Sequence, residues 1–104
     1  MARSMAGARD AVAPATLTDD ADIEDWAAGT DVSVRLIHAM AAACAAEPAL
    51  NAWFDGQRMA RRVHTVVDLG IAIDTPDGLF VPVLRDTGRR TMAELRQDLD
   101  ALLT

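Results

Sequence analysis

The run Leu69–Gly88, LGIAIDTPDGLFVPVLRDTG, admits few folds. Two apolar stretches flank Thr75-Pro76-Asp77-Gly78, a tetrapeptide whose proline presets a turn and whose Asp-Gly pair supplies the positive backbone dihedral a tight reversal needs. The segment therefore reads as a β-hairpin. Pro82 brings no N–H to a ladder, which puts the return strand at an edge or a bulge.

Upstream of the turn the apolar period is two. Val63, Thr65, Val67, Leu69, Ile71 and Ile73 alternate with His64, Val66, Asp68, Gly70, Ala72 and Asp74, which predicts one long strand near 60–74 with a decidedly apolar face. On that strand His64 and Asp68 share the other face, roughly 13 Å apart, too far for a direct pair. Asn51-Ala52-Trp53-Phe54 reads as a shorter strand near 50–54, and Asp55-Gly56 as the turn after it. The return strand lies near 79–84, and a brief alternation after Pro14 suggests another near 15–18.

Elsewhere the period is helical. Residues near 1–12 place Met1, Met5, Ala8 and Val12 on one stripe, ended by Pro14. A second helix near 32–46 has Asp31 or Ser33 as its cap and Pro48 at its close, with Leu36, Ile37, Met40, Ala41 and Cys44 on the face that meets the sheet. A third near 91–103 opens with Thr91 and Glu94 at capping-box spacing and carries Met92, Leu95, Leu99 and Leu102 as its core stripe. The sum is an α/β two-layer sandwich, with helices on one face of a mixed, mostly antiparallel sheet. Trp26 and Trp53 read as core or boundary residues, with interface anchors as the alternative.

Composition narrows the function. All 10 basic side chains are arginine and the formal charge is −6, so no basic field exists to draw nucleic acid. One cysteine, Cys44, excludes an internal disulfide framework and a multi-thiolate zinc site, and in its alanine-rich run it reads as a buried, inert thiol. Asp19, Asp20, Asp22, Glu24 and Asp25 lack the ligand spacing and turn glycine of a calcium loop and read as a solvated surface. No metal site is expected. No apolar run reaches the ~18 residues of a membrane span, and no secretory signal is legible, so a cytoplasmic, membrane-free protein is the expectation. His38 lies off the apolar stripe of its helix and reads as an ordinary, partly exposed histidine. There is no Gly-x-Ser-x-Gly elbow, His-Glu-x-x-His pair or phosphate loop.

The order of these pieces resembles the catalytic domain of the acyltransferase component of 2-oxoacid dehydrogenase complexes. The resemblance is carried by Pro48, Leu50 and Asn51; by Gly70, Ile71 and Ala72; by Asp74 and Thr75; by Gly78, Leu79, Val81, Pro82 and Val83; and by Arg85, Arg89 and Arg90. It implies half of a chloramphenicol acetyltransferase-like fold, with residues 1–104 as the N-terminal half of the domain. It also implies a reaction in which a histidine takes the proton from an attacking thiol while a hydroxyl steadies the tetrahedral oxyanion. Coenzyme A and lipoamide are the substrates so implied, and no covalently bound cofactor is expected.

The histidine of that family sits in a His-x-x-x-Asp-Gly motif. Here His38 is followed by AMAAA and His64 by TVVDL, so neither has the Asp-Gly pair at the required offset. No catalytic residue is assigned, and the chain is expected to be inactive alone. Asp74, Thr75, Gly78, Arg85, Arg89 and Arg90 are the candidate contacts to a coenzyme A or lipoamide channel, against the alternative of a plain hairpin turn and a solvated basic loop. The resemblance implies a homo-oligomer, a trimer, or a complementary C-terminal half as partner. A non-catalytic assembly module derived from the same fold is the other reading.

Overall fold

The computed structural model describes residues 2–103, with side chains from Met5 onward. Met1 of the predicted first stripe lies outside the described residues. Among the described residues two α-helices, α1 (Ala2–Ala11) and α2 (Val32–Ala46), precede six short strands, and a third, α3 (Met92–Leu103), follows them. The strands are β1 (Ala52–Asp55), β2 (Ala60–Val63), β3 (Leu69–Gly70), β4 (Ile73–Thr75), β5 (Gly78–Phe80) and β6 (Val83–Leu84). Every pairing among the described residues is antiparallel: β1 with β2, β3 with β6, β4 with β5.

The expected hairpin around Pro76-Asp77 is present as one unit. Leu69 faces Leu84 and Ile73 faces Phe80, a single register that sets Ile71 opposite Pro82. Ile71 N–H donates to the Pro82 carbonyl at 2.9 Å, but Pro82 has no N–H to return, so the ladder is interrupted there. Gly70 is needed beside the interruption, since a Cβ on it would lie 2.9 Å from Val81 Cγ1.

The strand expected over 60–74 is not continuous. It breaks at 64–68, where the backbone turns to other partners. Asn51 Nδ2 donates to the carbonyls of His64 (3.2 Å) and Val66 (3.0 Å), and Thr87 donates to the Val67 carbonyl through both N–H (2.8 Å) and Oγ1 (3.0 Å). Alternation in the sequence reports which residues are apolar; it does not report that a side-chain amide and a buried threonine will take the carbonyls a neighbouring strand would have used. The strand expected near 15–18 is also absent, because no neighbouring strand is there to pair it, and residues 50–51 belong to a 3₁₀ turn, Pro48–Asn51, instead of the strand itself.

α2 and α3 cover the hairpin. Val34, Ile37, Leu84, Leu95 and Leu99 form the buried cluster, with Leu69, Ile71, Met92 and Leu102 packed against it. The stripe of α3 is thus the expected one, and Thr91 Oγ1 accepts from Glu94 N–H at 3.2 Å to start the helix. On α2 the buried face is Val34, Ile37 and Ala41, rotated from the expected one so that Leu36 and Met40 stay exposed. Asp31 is the cap, accepting from Val34 N–H at 3.3 Å, and its carboxylate also takes Arg96 Nη1 at 3.0 Å, which ties the start of α2 to α3. α1 does not join the helical layer: side chains from Met5 to Asp25 are all exposed.

Candidate functional site

The six candidate residues fall into two groups at opposite ends of the long hairpin. At its tip, Thr75 Oγ1 donates to the Gly78 carbonyl at 2.7 Å, and Gly78 takes φ +125°, the conformation only glycine adopts without strain. Asp74, one residue earlier, stands at the rim of an apolar groove of about 510 Å³ walled by Leu36, Ile37, Ile71, Leu99 and Leu103. Seven residue steps of extended chain, roughly 23 Å at about 3.3 Å each, separate Gly78 from Arg85. The structure therefore does not bring Asp74, Thr75 and Gly78 together with the arginines.

The arginines are not equivalent. Arg90 is committed to the fold, with Nε donating to the Arg85 carbonyl at 2.9 Å and Nη1 to Asp98 Oδ2 at 2.6 Å. Arg85 reaches Asp68 Oδ2 at 3.3 Å across the surface. The Asp68 carboxyl is held below its ordinary range, first by the Asp86 N–H it accepts at 2.8 Å and then by Arg85. Arg89 is the least engaged of the three, exposed and 4.0 Å from Asp86 Oδ1.

Arg89 stands at the mouth of a cleft of about 300 Å³. Its floor is the last half of α2, with Ala41, Cys44 and Ala45, and its wall is the broken segment that carries His64 and Val67. His64 is placed there by the Asn51 clamp, which draws residues 64–66 out of strand geometry. The imidazole meets Trp53 edge-on, with centroids 4.6 Å apart at 70°, and its Nε2 is buried with no hydrogen-bond partner among the described residues.

This cleft was not legible in the sequence, because a continuous strand puts His64 away from α2. The one signal was Asn51, a side chain able to bond backbone at the start of a strand. Arg89 is the one predicted site residue that lines it, and Cys44 is half-buried in its floor.

The cleft is poorly equipped to move a proton. A general base needs a partner that fixes its tautomer and a substrate proton within reach, and no carboxylate orients His64 among the described residues. His38 is exposed on the outer side of α2. No group of three or more His, Cys, Asp or Glu among the described residues is placed to hold a metal ion, and none of the described helices is long and apolar enough to cross a membrane.

Helices laid over an antiparallel hairpin are also found in solved acyltransferase cores. The structure superposes on dihydrolipoamide acetyltransferase of Azotobacter vinelandii with a TM-score of 0.65 and 31% identity, covering 68% of this chain and 29% of that one. It likewise matches the truncated catalytic core of the 2-oxoacid dehydrogenase multienzyme complex of Thermoplasma acidophilum, with a TM-score of 0.60 and 32% identity over 69% of this chain and 34% of that one. The fold is that of α/β acyltransferase cores.

A family model described as 2-oxoacid dehydrogenases acyltransferase (catalytic domain) matches residues 1–104. The succinyltransferase component of the 2-oxoglutarate dehydrogenase complex of Haemophilus influenzae is 40% identical over 76 residues, 67% of this chain and 18% of that protein. The chain belongs to the family of 2-oxoacid dehydrogenase acyltransferase catalytic domains. It spans less than a fifth of that curated relative and about a third of the solved chains.

Proposed function

We propose that residues 1–104 are the framework half of an acyltransferase domain that moves acyl groups between lipoamide and coenzyme A, and that this half does not turn over by itself. The observation that carries the reading is the family match over residues 1–104, joined to two histidines that both lack the Asp-Gly pair of the family's motif. Correct placement of a general base is worth about 10²–10⁴ in rate, and an oxyanion donor another ~10²–10³. A polypeptide whose histidines both lie outside that motif is expected to supply walls in place of proton transfer.

In this reading the hairpin and α2–α3 layer supply scaffold, the cleft at Arg89 and His64 supplies part of the channel wall, and the exposed strands supply the surface on which a trimer or a complementary C-terminal half assembles. The cytoplasm is the compartment this reading expects. The exposed β1–β2 hairpin also favours a second reading, a non-catalytic assembly module of the same fold.

Recombination separates the two. The chain is mixed with a polypeptide carrying the remainder of the domain, including His-x-x-x-Asp-Gly, and acetyl transfer from acetyl-CoA to dihydrolipoamide is followed. Transfer restored on mixing supports the split domain. Halves that bind each other and transfer nothing sink it in favour of the assembly module.

A further inference from the structure

The β1–β2 hairpin leaves most of both faces open, with Trp53 meeting the His64 ring edge-on at one side. In its register Trp53 faces Arg62 and Phe54 faces Arg61, so each side presents one aromatic ring and one guanidinium. Trp53 is 69% exposed, Phe54 68% and Met59, in the connecting turn, 78%. Aromatic residues, methionine and arginine are enriched at protein interfaces, and tryptophan and arginine are among the side chains that carry most of the binding energy there. Among the described residues no carboxylate lies within ion-pair distance of Arg61 or Arg62.

The opposite deficit lies in the segment that precedes α2. Asp19, Asp20, Asp22, Glu24 and Asp25 are exposed and, among the described residues, paired with no arginine. Leu17 beside them is 95% exposed. Ala15–Thr18 has the alternation of a strand and no strand to pair with. The radius of gyration is 16.4 Å, against about 13 Å for a compact chain of this length. The described chain thus holds a basic, aromatic hairpin with open edges and an acidic arm whose strand pattern is unmet.

We propose that residues 15–25 of one copy dock on the β1–β2 hairpin of a second copy, adding a strand to its edge and setting their carboxylates on Arg61 and Arg62. This names the contact behind the oligomer of the preceding section and rests on that reading only for the expectation of an oligomer. Strand addition satisfies the open backbone edge, the arginines choose the acidic segment, and the aromatic rings gain cover.

A charge-swap pair tests it, with mass read by light scattering or sedimentation at low salt. One variant carries Arg61→Glu and Arg62→Glu; the other carries Asp19→Arg, Asp20→Arg and Asp22→Arg. The parent chain is expected to associate, with its dissociation constant rising roughly tenfold or more as salt screens the pairs. Each variant alone, shown folded by its helical circular dichroism, is expected to be monomeric, and the two mixed are expected to regain species larger than the monomer.

A parent chain that stays monomeric at tens of micromolar overturns the proposal. So do variants that associate as the parent does, or a mixture that stays monomeric because the arm folds on its own hairpin. None of these outcomes bears on acyl transfer, which is read separately.

Discussion

Leu95 is 0% exposed at the centre of the cluster, so Leu95→Ala is expected to cost about 2–5 kcal/mol in urea unfolding, the transfer and cavity cost of a buried leucine. Gly70 makes a sharper test of packing. Its absent Cβ would meet Val81 Cγ1 at 2.9 Å, whereas nothing lies within 4 Å of the same position on Gly88. Gly70→Ala is therefore expected to lose about 1–3 kcal/mol by overpacking, while Gly88→Ala stays within about 0.5 kcal/mol of the parent. Asp31 sets an acid limb. The hydrogen bond from Arg96, and after it the one from Val34 N–H, hold its carboxyl below the ordinary 3.8. The folded state then binds that proton less readily than the unfolded chain, so the contribution is full above 3.8 and is lost as pH falls through the lower folded value. Asp31→Asn, which keeps an oxygen for the cap, is expected to flatten the stability profile as pH falls below the ordinary carboxylate value of 3.8, in acid titration followed by circular dichroism.

Among elements, the segment 64–68 decides how the site is built. Asn51→Ala removes both amide bonds to the His64 and Val66 carbonyls and is expected to cost about 1–3 kcal/mol. It is also expected to raise hydrogen exchange at residues 64–68 while leaving the Leu69–Leu84 hairpin protected, which amide exchange by NMR would show. The hairpin, α2 and α3 were legible in the sequence because caps, turn residues and apolar periods are local: Asp31, Thr91, Gly78 and Pro82 act within a few residues of themselves. The break after Val63 and the cleft behind it were not, because they depend on contacts between Asn51 and residues 13 to 15 positions away, and between Val67 and a threonine 20 positions on. The candidate site shows the same division. The turn at Thr75 and Gly78 stands where its sequence placed it, whereas separating Arg90, tied to Asp98, from Arg89, at the mouth of the cleft, needed the third dimension.

At the scale of the whole molecule the buried cluster is small and apolar residues such as Trp53, Phe54, Leu79 and Phe80 stay exposed, which is what the proposed framework reading expects of surfaces that another polypeptide covers. The family fixes the kind of domain, and the residues present fix what it contributes to that domain. Turnover by the isolated chain is the decisive measurement. Purified protein given acetyl-CoA and dihydrolipoamide is expected to transfer acetyl no faster than the reagents do unaided. Transfer above that background that disappears in His64→Gln or His38→Gln would contradict the account.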